Sequence, residues 1–159
     1  MAMATQLFWG TFYLVICSVV HAIWLTWCVG RVQSFHDTPV PASGPGGLAS
    51  AGLRAAPKPR QWRTFAVVLL LILAIVLSHT FQVWLWAHAL HRREVLGDWN
   101  TAVCFSMVTY TALGYGDIVL GPGSRIFASL AAVTGLLNFG VSTAFLVATW
   151  TRVFAVRQE

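Results

Sequence analysis

The stretch TYTALGYGD, residues 109–117, sits between two long apolar segments. It places two glycines around a tyrosine and closes on an acid. A bare, flexible backbone of this kind is an expensive thing to set beside hydrocarbon, because its amides and carbonyls need partners. Its role therefore depends on what the rest of the chain is.

The 159 residues are 57% hydrophobic and only 9% charged, with a mean hydropathy of +0.70. Soluble domains carry about 25% charged residues, so composition alone points to a membrane protein. Three segments are long and apolar enough to span roughly 30 Å of hydrocarbon: about 7–30, 65–90 and 125–154. A fourth, about 99–110, is too short to span and reads as re-entrant or buried. The opening MAMATQ has no basic stretch, and the first apolar run exceeds a signal-peptide core. Segment one therefore reads as a retained helix. The Pro-, Gly-, Ala- and Ser-rich stretch between the first two spans reads as a linker without a fold of its own.

Lys and Arg give an orientation. Seven (Arg31, Arg54, Lys58, Arg60, Arg63, Arg152 and Arg157) lie on the linker and C-terminal side, against three (Arg92, Arg93 and Arg125) on the other. The positive-inside rule then puts the linker and C-terminus in the cytoplasm and the N-terminus outside. The net charge of +5 is explained by this topology, and no basic face interleaved with aromatics suggests nucleic acid. Cys17 and Cys28 would lie about 16 Å apart on one helix at 1.5 Å per residue, too far to bridge. With Cys104 they read as small hydrophobes.

Residues 109–117 resemble the selectivity-filter signature of potassium channels, whose usual form is T-x-T-T-V-G-Y-G-D. The order of helix, short helix, filter and helix is that of the family's two-helix pore module. The resemblance implies an all-α membrane protein with three transmembrane helices, a re-entrant pore helix and a filter loop. Its parts would be an N-terminal helix (1–30), a cytoplasmic linker (31–63), a pore module (64–154) and a short tail (155–159). Within the module fall an outer helix (64–91), a pore helix (98–110), the filter (111–117) and an inner helix (124–154). One loop and no internal repeat require four copies around an axis, so a homotetramer is expected, consistent with closed symmetry in oligomers.

The ion-binding segment implied is Thr111, Ala112, Leu113, Gly114, Tyr115 and Gly116, with Asp117 at the outer mouth. Backbone carbonyls of Ala112, Leu113, Gly114 and Tyr115 would replace the hydration shell of potassium. Potassium is thus the permeant ion, and no cofactor is implied. Aiming successive carbonyls at one axis demands alternating backbone conformations, some with positive φ, which Gly114 and Gly116 adopt cheaply. Asp98 or Asn100 would cap the pore helix. Its C-terminal dipole would stabilise a cation within the membrane.

The sequence also departs from the family pattern. Ala112 stands where a second threonine is usual, so the innermost site lacks a hydroxyl. The family's aromatic pair aligns with Cys104 and Phe105, and its glutamate with Val108. The polar clamp on Asp117 is then missing unless Trp99 or Arg125 replaces it. Gly135 and Gly140 read as bend points of the inner helix or as close-packing sites. Asn138 and Ser142 read as cavity-lining residues or as interhelical hydrogen-bonders.

No segment repeats the arginines of a voltage sensor, and no cytoplasmic ligand-binding domain is expected. His88 and His91 could sense protons, and His21 with His79 could bind haem or a metal. Packing or interfacial histidines are the simpler reading. The basic linker could touch anionic lipid heads, and solvated charges that set the topology are the simpler reading. The competing functions are a potassium-selective channel of the cell (inner) membrane, a weakly selective cation channel, a non-conducting sensor or partner subunit, and a haem-binding redox subunit. No nucleophile–base pair, metal cluster or phosphate loop suggests an enzyme.

Overall fold

A computed structural model describes residues 2–36 and 60–155. Most of the expected linker (37–59) and the tail residues 156–159 lie outside the described residues, as do the linker's Arg54 and Lys58. Four helices follow in order: α1 (Met3–His36), α2 (Arg60–His91), α3 (Trp99–Tyr110) and α4 (Arg125–Ala155). Among the described residues there is no strand. Three helices are long and apolar enough to cross a membrane, over Met3–Arg31, Phe65–His91 and Arg125–Thr151.

The helices run further than apolar counting suggests. Helix α1 continues to His36, since no Gly or Pro follows Gly30 until Pro39 and the intervening polar residues tolerate helix. Helix α2 begins at Arg60, directly after Pro59, where a residue without an amide donor marks a natural boundary.

Burial follows one face of each span. On α1 the buried positions are Gln6, Gly10, Cys17, His21, Leu25 and Cys28, a stripe at helical spacing. On α4 they are Phe127, Ala128, Ala131, Thr134, Gly135, Asn138 and Ser142. The remaining faces are apolar and open: Leu69, Leu73, Val76, Leu136 and Val147 are all exposed. A soluble monomer rarely shows contiguous apolar surface on this scale, whereas a bilayer solvates it.

An aromatic core forms where the end of α2 and the start of α4 meet α1. Trp86 is fully buried and packs on Phe127, with ring centroids 5.3 Å apart. Tyr13 of α1 closes the group at 5.7 Å from Trp86 and 5.8 Å from Phe127. Arg93 lays its guanidinium 4.0 Å over Phe127, a cation–π contact that covers this end of the bundle. Gln6 adds a polar tie. Its side-chain oxygen accepts from the amides of Ile126 and Phe127, and its nitrogen donates to the Pro122 carbonyl at 3.0 Å. The first turn of any helix leaves amides without partners, and here a residue of α1 supplies them for α4.

Candidate ion-conduction site

After α2 the chain turns sharply. The Val95 amide donates to the Leu90 carbonyl and the Glu94 amide to the His91 carbonyl, with Glu94 at φ 54°. This is a Schellman closure whose left-handed position is usually glycine. Asp98 then starts α3: it is extended, and its carboxylate accepts from the Thr101 amide at 2.8 Å. Of the two expected caps, Asp98 therefore serves. Its hydrogen bond from that amide holds the Asp98 carboxyl below its ordinary value of 3.8, because the charged form is the better acceptor.

Helix α3 re-enters the bundle. Its last residue, Tyr110, reaches His79, twelve residues before the end of α2, a depth of about 18 Å at 1.5 Å per residue. There α4 comes very close. A Cβ on Gly135 would collide with the Tyr110 carbonyl oxygen and stand 2.8 Å from its carbon. Gly135 thus serves close packing of helix on backbone.

The loop follows from how α3 ends. The Leu113 amide donates to the Val108 carbonyl at 3.0 Å and the Ala112 amide to the Thr109 carbonyl at 2.9 Å. Ala112 is left-handed, at φ 57°. This is a second Schellman motif, again without glycine at the left-handed position. The Gly114 amide also reaches the Val108 carbonyl at 3.3 Å, and the Thr111 hydroxyl donates to the Met107 carbonyl at 2.8 Å. The amides at the start of the loop therefore satisfy the orphaned carbonyls at the end of α3.

Gly114 and Gly116 are left-handed at φ 55° and 77°. With Ala112, every second residue over 112–116 has positive φ. The two glycines were legible in the sequence and Ala112 was not, since left-handed alanine costs about 1–2 kcal/mol. The side chains between them project outward: Leu113 is 58% exposed and Tyr115 70%. Thr111 and Asp117 are also exposed. Trp99 stacks on His88 at 5.8 Å between centroids and packs, tilted, on His91 at 4.3 Å and Trp84 at 6.3 Å, all on α2.

The remaining candidates fall on α4. Asn138 and Ser142 are buried and hydrogen-bond to residues of α1 and α2, the interhelical arrangement of the two considered. Gly140 is exposed. Cys17 and Cys28 are buried and Cys104 is exposed on α3, and all three are free thiols. His91 approaches the Leu96 carbonyl at 3.2 Å. The buried polar set around His21 was not found from sequence. Its members sit singly in apolar runs, and only the tertiary arrangement brings them together.

Three spans with a short helix and loop folded back between the second and third define an integral membrane protein built on a re-entrant segment. The ion channel family matches residues 64–152, more than half of the chain, and the chain belongs to that family. It is therefore a protein of passive ion transport. No curated protein and no solved structure matches it.

Proposed function

We propose that the chain is a potassium channel in which four copies bring their 111–117 loops to a common axis. The carbonyls of Ala112, Leu113, Gly114 and Tyr115 then form the ion sites, with Thr111 and Gly116 at the ends and Asp117 at the outer mouth. The observation that carries this reading is the alternation of left-handed residues at Ala112, Gly114 and Gly116. A β-strand or helix turns successive carbonyls by a fixed rule. Alternation of hand lets consecutive carbonyls face one side, which is what replacing an ion's hydration shell requires.

Exposure of Leu113 and Tyr115 supports assembly. These are large side chains beside an exposed backbone, and a monomer leaves them uncovered. Neighbouring subunits around a four-fold axis would cover them and enclose the loop. The same reading puts the linker and C-terminus in the cytoplasm and the protein in the cell membrane, following the distribution of Lys and Arg.

A second reading, a weakly selective cation channel, is favoured by Ala112, which offers a carbonyl but no hydroxyl at the innermost site. Purified protein in liposomes under opposed potassium and sodium gradients separates the readings. A reversal potential near the potassium equilibrium value supports the first, and one near zero supports the second. Ala112→Thr would then shift the potential towards potassium. Absence of any cation flux from assembled protein refutes both and leaves a sensor or partner subunit.

A further inference from the structure

The polar residues behind the loop form a closed ring. The Tyr110 hydroxyl donates to the Gln82 side-chain oxygen at 3.0 Å. The Gln82 nitrogen donates to His21 Nδ1 at 3.2 Å. His21 Nε2 lies 2.8 Å from the Ser142 hydroxyl, and that hydroxyl lies 3.1 Å from His79 Nε2. His79 Nδ1 returns to the Tyr110 oxygen at 2.9 Å.

Donor counting sets the direction. The Gln82 oxygen also accepts from the Asn138 nitrogen, so its nitrogen is the group turned to His21. His21 Nδ1 must then accept and Nε2 must donate to Ser142. The Ser142 proton passes to His79 Nε2, and His79 Nδ1–H donates to Tyr110. Each of the five residues gives one hydrogen bond to the next around the ring, and each imidazole uses one nitrogen as donor and the other as acceptor, the pattern of a neutral ring. Ser78 stands 2.8 Å from His21 Nδ1 and shares that nitrogen's single lone pair with Gln82.

The ring draws on all four helices: His21 from α1, His79 and Gln82 from α2, Tyr110 from α3 and Ser142 from α4. His21, Gln82 and Tyr110 are each at most 1% exposed. Unpaired polar groups at this depth are costly, and one-directional rings strengthen each bond by mutual polarisation. Tyr110 is the last residue of α3, two positions before left-handed Ala112, so bonds that anchor Tyr110 also anchor the start of the loop.

We propose that His21 is a positioning residue for ion selectivity, acting through this ring to fix Tyr110 and with it the geometry of the loop that follows. The first helix, which lies outside the span matched by the ion channel family, would then help to tune the filter. This inference rests on the reading that residues 111–117 conduct.

The test uses the full chain, purified and reconstituted, with reversal potentials measured under a potassium–sodium gradient and assembly checked by size exclusion. Tyr110→Phe removes one hydroxyl and keeps the aromatic side chain in place. His21→Leu removes both bonds of the imidazole, while His21→Gln restores a donor and an acceptor. Each of the first two should lower the potassium-to-sodium permeability ratio by roughly three- to tenfold, the size of one net hydrogen bond. The double variant should be no worse than the worse single, because both break the same ring. His21→Gln should return the ratio to within about twofold of wild type, as a conserved bond predicts. If Tyr110→Phe does not assemble, Ser142→Ala interrupts the same ring and is read in its place. Conducting variants with the wild-type ratio, or additive losses in the double, overturn the proposal while leaving conduction intact. A wild-type channel that passes sodium as readily as potassium overturns it as well. A wild type that passes no cation overturns the conduction reading itself.

Discussion

Gly135→Ala is the substitution whose cost the structure sets most directly. The added methyl would collide with the Tyr110 carbonyl oxygen, 2.8 Å from its carbon and 3.2 Å from Tyr110 Cδ1. Its neighbours are mostly backbone, which cannot rotate away, so α3 and α4 must separate. Overpacking of this kind costs typically about 1–3 kcal/mol, offset by about 1 kcal/mol from replacing glycine in a helix. Because the obstruction is backbone, the upper half of that range applies. The net loss is about 1–2 kcal/mol, roughly a five- to thirtyfold change in the folded-to-unfolded ratio. Gly10→Ala provides the contrast. The three atoms nearest its new methyl all belong to the Leu130 side chain, whose Cβ and Cγ lie at 3.3 Å and whose obstructing Cδ1 is a flexible end. Its cost and the helix gain should cancel to within about 1 kcal/mol. Thermal unfolding of the assembled protein in detergent, followed by size exclusion, should rank wild type and Gly10→Ala together and Gly135→Ala clearly below them. If Gly135→Ala is as heat-stable as wild type, or less damaging than Gly10→Ala, the close approach of α3 and α4 is wrong.

The geometry sets the outcome of five other substitutions. Gln6→Leu keeps most of the side-chain volume but takes the partner from the Ile126 and Phe127 amides and the Pro122 carbonyl. Pro122 is exposed and Ile126 half-buried, so the cost should be that of about one buried orphan, roughly 1–3 kcal/mol. Leu7→Ala on the exposed face of α1 should be close to neutral in the same melts. Ala112→Gly relieves left-handed strain of about 1 kcal/mol and adds nearly as much chain entropy, so stability should barely change. Ala112→Thr places a β-branched residue at positive φ, an outlier conformation, and should lower the midpoint. Asp98 has a folded pKa below its ordinary 3.8. Its stabilising contribution is complete above that value and is lost as pH falls through the lower folded one. Melts at falling pH should show this acid loss in wild type and a smaller one in Asp98→Asn.

The sequence revealed the spans through length and apolarity, and the loop through its two glycines, because both features are local. The cap was legible only as a pair, Asp98 or Asn100, because a cap-forming side chain before a short apolar run is a chain-level signal and both residues qualify. The two Schellman closures were not, since both put a residue other than glycine at the left-handed position, Glu94 and Ala112. Strain of that size is accepted where the surrounding bonds fix the turn, and nothing in a single residue's identity announces it. Asn138 and Ser142 could be placed on one face of α4 but not pointed. Whether that face met a cavity or another helix depended on His21, which is more than a hundred positions away in the chain.

The position of α1 changes what the conducting unit is. Its buried stripe meets α4 at three depths: Gln6 at the first turn, Gly10 against Leu130, and His21 against Ser142. Two of these contacts are hydrogen bonds from polar side chains that lipid could not replace. In hydrocarbon, apolar faces gain little by choosing protein over lipid, so specific association rests on close packing and on polar groups that need partners. A helix that served only as an anchor would need neither a glycine at the crossing nor a glutamine at the neighbour's amides. Conversely, α4 without α1 would carry uncapped amides at its start, and Ser142 would keep His79 but lose His21. The polar residues on α1 are therefore intelligible only as part of the same packed unit as α2, α3 and α4. The physical unit that holds the 111–117 loop is the four-helix set, one helix larger than the segment by which the family is recognised.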